Sequence, residues 1–230
     1  MRHYMAEIIL FHGSSGIIRK PEFGKGKPNN DYGLGFYCTQ SIELAKEWSV
    51  QDSSRNGFAN EYSLEMDGLT VLNLNGQEYT ILHWLSVLAK YRDFRVSTPI
   101  AKQGKEYLIK NFYVPVEDYD IIVGYRADDS YFSFARSFIN NEFSLRQLSF
   151  AMRLGKLGEQ HVLKSEKSFS QIKFIDAHKA LSNEYFEKRA ERNESANTAF
   201  RKELENSDID GIFMRDIIRE NIKNDDPRLR

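Results

Sequence analysis

Along the 230-residue chain, apolar positions recur at two different periods, and the changes of period mark out the elements. Residues 7–11 (Glu-Ile-Ile-Leu-Phe) form a compact apolar run ending at His12-Gly13-Ser14, which predicts a buried strand stopped by a turn. Between 16 and 35 lie Gly16, Gly24, Gly26, Gly33 and Gly35 with Pro21 and Pro28, too much Gly and Pro for regular structure. A long loop is expected there. Gly35-Phe36-Tyr37-Cys38-Thr39 is aromatic and strand-prone, and Thr39 or Ser41 can cap a helix running through Glu43, Ala45 and Trp48. Tyr62–Met66 and Thr70–Leu74, divided by Asp67-Gly68, read as a pair of strands. Ile81, Leu82, Leu85, Leu88 and Ala89 share helical spacing over 78–91, with a weaker helix predicted over 100–112.

Tyr119–Val123 predicts another buried strand, ended by Gly124. Helices are predicted over 129–139 and 144–153, the second capped by Ser144, and short strands over 161–163 and 172–175. From Ala177 the text becomes rich in Glu, Lys, Arg and Asn at helical spacing, including Glu184, Glu187, Lys188 and Glu191. Asp208 to Ile222 adds an amphipathic helix with Ile212, Phe213, Ile217 and Ile218 on its apolar side. The expected whole is α+β: a domain over 1–176 with a helical C-terminal extension, 177–230, packed on it. Trp48, Trp84, Phe150 and Met152 are expected in the core. His83, His161 and His178 have no ligand spacing and read as structural, and Cys38 reads as a buried, inert thiol.

Composition narrows the classes. Thirty-two Lys and Arg against 33 Asp and Glu give a formal charge of −1, which excludes a globally basic nucleic-acid coat protein but not a local basic patch. With 41% apolar and 28% charged residues the chain is an ordinary globular sequence. One cysteine forbids an intramolecular disulfide. Five scattered His and that Cys, without C-x-x-C, H-x-x-x-H or H-E-x-x-H, lead to no expected metal site. The longest apolar runs, Ile8–Phe11 and Leu85–Ala89, are too short to span a bilayer, and the N-terminus lacks the apolar region of a signal peptide. A cytoplasmic protein with no membrane partner is expected.

Two near-motifs fail. His12-Gly13-Ser14-Ser15-Gly16 is one residue short of G-x-S-x-G, and Gly24-Lys25-Gly26 has neither a third glycine nor a preceding strand. The informative pattern is distributed: His12-Gly13-Ser14, then Asp31-x-Gly33-x-Gly35-Phe36-Tyr37-x-Thr39, then Ala45-x-x-Trp48, then Asp118–Gly124 with Ala127-Asp128-Asp129, and late in the chain Gly158-Glu159-Gln160-His161-Val162-Leu163. In this order the pattern resembles the ADP-ribosyltransferase fold in its His-Tyr-Glu branch, and within it a bacterial family of uncharacterised proteins often encoded as toxins beside antitoxins. The resemblance covers most of 8–176, and more loosely Asp208–Glu220.

The resemblance implies a split β-sheet core with surrounding helices. It implies an NAD-dependent mono-ADP-ribosyltransferase, acting as a toxin or anti-phage effector, that releases nicotinamide and transfers ADP-ribose to a macromolecular acceptor. That acceptor could be a protein side chain or a nucleic-acid base; a cognate antitoxin is the implied partner. In such a site the first-strand His bonds the adenosine ribose and the next backbone holds the nicotinamide amide, roles that fall to His12 and Gly13. The second-strand Tyr, here Tyr37, stacks on the nicotinamide, whose cationic ring suits a π-face. Ser14, Arg19 and Gly35 complete the expected NAD contacts, with Gly33 and Gly35 giving the backbone close access to the ligand.

Arg19, Lys20, Lys25 and Lys27, opposed only by Glu22, make the loop locally basic, suited to a pyrophosphate, an anionic target or simply solvent. The late strand departs from the branch: Gln160 stands where a Glu is expected. Its amide can hydrogen-bond a ribose but offers no negative charge. Glu159 is adjacent but alternates to the other face of a regular strand, an objection that a bulge or strand start at Gly158 relaxes; Gln160 or Glu159 is expected to orient the ribose, and Asp128 and Asp129 are the other candidate carboxylates. A catalytically impaired NAD- or nucleotide-binding module and an NAD glycohydrolase are the alternative readings.

Overall fold

The computed structural model describes residues 6–96, 98–154 and 158–229, apart from the side chain of Asp129. Seven strands, β1 (Glu7–Ser14), β2 (Phe36–Thr39), β3 (Gly57–Glu65), β4 (Val71–Asn73), β5 (Ile121–Tyr125), β6 (Glu159–Leu163) and β7 (Ile172–Ala180), form one mixed sheet in the order β4-β5-β6-β2-β1-β3-β7. Only β4–β5 is parallel. The helices are α1 (Ile42–Ser49), α2 (Ile81–Tyr91), α3 (Pro99–Phe112), α4 (Asp129–Ile139), α5 (Leu145–Ala151), α6 (Glu166–Gln171), α7 (Ser182–Leu204) and α8 (Met214–Arg219). The protein is thus α+β.

Strand alternation divides the core. Leu72, Ile122 and Val162 face a large core shared with Leu82, Trp84, Leu85 and Leu88 of α2, Leu108 of α3, Phe134 and Phe138 of α4 and Phe200 of α7. The intervening Ile121, Val123 and Leu163 join Ile8, Leu10, Cys38 and Leu64 on the opposite face, beneath Phe169 of α6. Each fully buried Leu of α2 contributes roughly 2 kcal/mol by leaving water, which is why that helix is the most legible in the sequence.

The sheet is nearly two sheets. β1 and β3 pair continuously from Glu7↔Glu65 to Ser14↔Phe58, whereas β1 and β2 share the single pair Phe11↔Thr39. Beyond Phe11 the two halves part.

Several expectations change. His12, Gly13 and Ser14 belong to β1 rather than to a turn, because β3 supplies their ladder partners. β1 is also half-exposed rather than buried, with Ile9 at 39% exposure. The strands at 62–66 and 70–74 form, yet they are not partners: β3 runs between β1 and β7, while β4 lies at the far edge on β5. Asp120 draws the second strand away, its Oδ2 accepting from Thr70 N (2.8 Å) and Thr70 Oγ1 (3.0 Å). β5 continues through Gly124 to Tyr125, against β6.

Residues 177–180 are strand, not helix. β7 is an edge strand whose polar side chains point to water, so its alternation is weak. The helix read over 208–222 shortens to α8, which begins after Phe213, where Asp216 Oδ2 accepts from Phe213 N (3.0 Å). Phe150 is 40% exposed and not core, and α6 carries too few apolar residues to have been read. α7 lies against α1, α4 and α5, and α8 against α3. Among the described residues no helix is long and apolar enough to cross a membrane.

Candidate functional site

Where the two halves of the sheet part, a cleft of about 640 Å³ opens, within the range of small-molecule sites. One wall is the 15–35 loop, which has no helix or strand. Buried Asn60 on β3 ties its start in place. Asn60 Nδ2 donates to the Ser14 hydroxyl (2.9 Å) and the His12 carbonyl (3.2 Å), and Asn60 Oδ1 accepts from Ile18 N (2.9 Å). At the far end, Lys164 Nζ donates to the carbonyls of Tyr32 (2.7 Å) and Leu34 (2.6 Å). A loop of this length is thereby held at both ends by side chains of the sheet.

His12 fills the gap between the halves. Its Nδ1 lies 2.7 Å from the Tyr37 carbonyl, and its ring stacks on Phe36 at 4.3 Å. A carbonyl only accepts, so Nδ1 carries the proton and Nε2 presents its lone pair. Burial, with Arg126 nearby, holds the imidazole below its ordinary pKa despite the bond to Tyr37; it is neutral at neutral pH. Tyr37 is half-buried, its hydroxyl donating to the Gly33 carbonyl (2.5 Å) and accepting from Tyr32 N (3.1 Å). With the phenol tied into the loop and pushed up in pKa by burial, the ring is what Tyr37 offers the cleft.

Gln160, almost fully buried on β6, completes the floor. Its Nε2 donates to Asp31 Oδ2 (3.0 Å) and to the Tyr125 carbonyl (3.0 Å), which commits the amide hydrogens and leaves the carbonyl oxygen. Charge surrounds this floor: Lys20, Lys25 and Lys27 from the loop, Arg92 after α2, and Arg126 with Asp128 between β5 and α4. Arg126 pairs with Asp128 while its guanidinium lies 3.6 Å above the Trp48 ring, so Trp48 is its platform.

The cleft therefore gathers His12, Gly35, Tyr37, Asp128 and Gln160. Gly13, Ser14, Arg19 and Glu159 do not line it. Glu159 faces the other way and accepts from Asn75 Nδ2 (2.9 Å), as alternation along β6 requires. Arg19 is exposed and sits over the Phe174 ring. Gly13 has a packing reason of its own: a Cβ there would lie 2.1 Å from the Ala45 carbonyl of α1. At Gly35 a Cβ would meet Val162 at 2.6 Å, so that glycine lets β2 approach β6. The Asp129 carboxylate lies outside the described residues.

Asp31 stood in the distributed pattern without a role assigned to it, and Asn60, Arg92, Arg126 and Lys164 were not singled out from the sequence. Asp31 and Arg126 carried a faint signal, a charge beside a Gly-rich turn and a charge just past a buried strand. Arg92 and Asn60 carried none, because only the fold brings them to the cleft. Asp31 is buried, accepts from Ala127 N (2.9 Å) as well as Gln160, and has Arg92 3.5 Å from its other oxygen. Burial raises its pKa in spite of these partners.

Of the other described histidines, His83 closes the capping box of α2 with Thr80, His161 is buried in β6, and His178 pairs with Glu61 at 2.6 Å, and none of the three lines the cleft. Among the described residues no group of three or more His, Cys, Asp or Glu is placed to hold a metal ion. No curated protein and no solved structure matches the chain. The family described as "Protein of unknown function (DUF3990)" matches residues 8–174, well over half of the chain, and the protein belongs to that family.

Proposed function

We propose that the cleft binds NAD and that the protein transfers its ADP-ribose to a macromolecular acceptor, releasing nicotinamide. The observation that carries this reading is the convergence of His12, Tyr37 and Gln160, from three strands, on one cleft at the parting of the sheet. Their chemistry suits the task. The lone pair of His12 Nε2 accepts from a ribose hydroxyl, the Tyr37 ring covers a cationic pyridinium, and the Gln160 carbonyl accepts from the second ribose. Lys20, Lys25, Lys27 and Arg126 supply positive charge for the pyrophosphate.

In the reaction the bond between C1′ and the nicotinamide nitrogen breaks with its electron pair going to the leaving ring, and positive charge grows on the ribose. Preorganised dipoles and charges aimed at that cation lower the barrier. The acceptor then attacks C1′ and loses a proton. A toxin or anti-phage role under an antitoxin's control is part of the same reading and rests on the sequence resemblance.

A second reading, binding without transfer, is favoured by one observation: Gln160 brings no charge to the position where the resembled branch has Glu. Labelled NAD offered to a bacterial lysate with the protein, followed by nuclease or protease digestion of the labelled fraction, separates the possibilities. Label on a macromolecule together with free nicotinamide supports transfer, and the digestion names the acceptor class. Free ADP-ribose without labelled macromolecule indicates hydrolysis, and calorimetric NAD binding without nicotinamide release indicates the binding module.

A further inference from the structure

Asp31 is a carboxylate in an expensive position. Its side chain is 8% exposed, it lines the cleft floor, and its nearest cation, Arg92, stands at 3.5 Å, longer than a hydrogen-bonded pair. Its two good partners, Ala127 N and Gln160 Nε2, both donate to the same oxygen, Oδ2. Accepting two hydrogen bonds at one oxygen is something the amide of an asparagine does equally well and without a buried charge. The two hydrogen bonds by themselves do not call for an acid; its charge is offset by Arg92 and Arg126, both of which line the same cleft. Clefts are where such costly charges are retained for chemistry.

Resting on the ADP-ribosyl transfer reading, we propose that Asp31 is the catalytic carboxylate, oriented by Gln160 so that the pair does the work of a single glutamate. Gln160 Nε2 holds Oδ2, leaving Oδ1 toward Arg92 and the cleft. As the C1′–N bond breaks, its electron pair leaves on neutral nicotinamide, and the Asp31 charge faces the ribosyl cation. When the acceptor's lone pair closes on C1′, the acceptor's proton passes to Asp31 and from there to water. The groups around Asp31 are Tyr32 beside it, Tyr37 on β2, Arg92 after α2, Arg126 after β5 and Gln160 on β6. Only the two arginines among these are charged at neutral pH, and neither can take the proton.

The test compares wild type, Asp31→Asn, Gln160→Glu and the exchange variant Asp31→Asn/Gln160→Glu, in the full chain. Nicotinamide release, NAD affinity by calorimetry and thermal melting are measured for each. Asp31→Asn is expected to lower kcat for nicotinamide release by about a hundredfold or more, with NAD affinity and melting temperature little changed. The exchange variant places a carboxylate at position 160, at the cost of the donation to the Tyr125 carbonyl, and is expected to recover about tenfold over Asp31→Asn. Wild-type turnover in Asp31→Asn overturns this inference while leaving the transfer reading intact. So does an Asp31→Asn variant that loses stability and NAD binding together and gains nothing in the exchange. An absence of nicotinamide release from wild type overturns the transfer reading itself, and this inference with it.

Discussion

His12 Nδ1 is committed to the Tyr37 carbonyl, and this one bond decides what the imidazole can offer a ligand. Protonation would place a hydrogen on Nε2 and turn an acceptor into a donor. Because burial holds its pKa below the ordinary 6.5, the neutral form prevails above that value. NAD affinity is therefore expected to stay level from neutral pH upward and to fall only as pH drops through the depressed pKa, below 6.5; calorimetry across that range checks it. An affinity that rises on acidification would contradict the acceptor role. At Tyr37 the ring and the hydroxyl have separate duties. Tyr37→Ala removes a face for the pyridinium and is expected to weaken NAD binding about thirtyfold, the equivalent of roughly 2 kcal/mol. Tyr37→Phe keeps the ring and loses only the bonds to Gly33 O and Tyr32 N, so its loss in a direct titration is expected to be the smaller of the two.

At the scale of elements, the cleft depends on segments that have little structure of their own. Lys164, at the end of β6, donates to two carbonyls of the 32–34 turn, and burial pushes its amine down in pKa. Lys164→Met removes both bonds while keeping the length of the side chain. Each carbonyl left without its donor costs about 1 kcal/mol, and the turn that carries Asp31 and underlies Tyr37 loosens. The expected signature is faster hydrogen exchange over 30–35 and a higher KM for NAD with kcat less affected. Unchanged exchange would show that the turn is held by other means. On the opposite side α7 is fastened to α1 by Arg192 on buried Glu47 and by the Tyr185 hydroxyl on Glu43. Trp48 lies on the same helix as Glu47 and supports Arg126 from below, so the C-terminal helix is linked to the cleft through α1.

For the whole molecule, the C-terminal region is part of the core. β7 completes the sheet through Ala180, and Ala196, Phe200, Met214 and Ile217 are buried with α2–α5. Removing 177–230 would cut β7 and expose that surface, and the truncated chain is expected to lack a cooperative thermal transition, measured by circular dichroism. A truncated chain that melts cooperatively would mean that residues up to 176 fold alone.

Elements with dense local signals were legible from the residues alone. α2 was readable because its apolar positions repeat at helical spacing, α5 because Ser144 caps it, and the 16–35 loop because Gly and Pro exclude regular structure. Strand partnership was not, since β3 and β4 are neighbours in sequence yet are separated by four strands in the sheet, a choice made by Asp120 and the large core. At the cleft, His12, Tyr37 and Gln160 were read through the resemblance of their pattern to a known branch, while the choice between Gln160 and Glu159 waited for the regular register of β6. Asp31 stood in that pattern without a role, and its part in the cleft, like that of Arg92, Arg126 and Lys164, was decided by tertiary structure. They come from a loop, two inter-element segments and a strand end, and their electrostatic meaning exists only once the fold removes water and brings them together around one cleft.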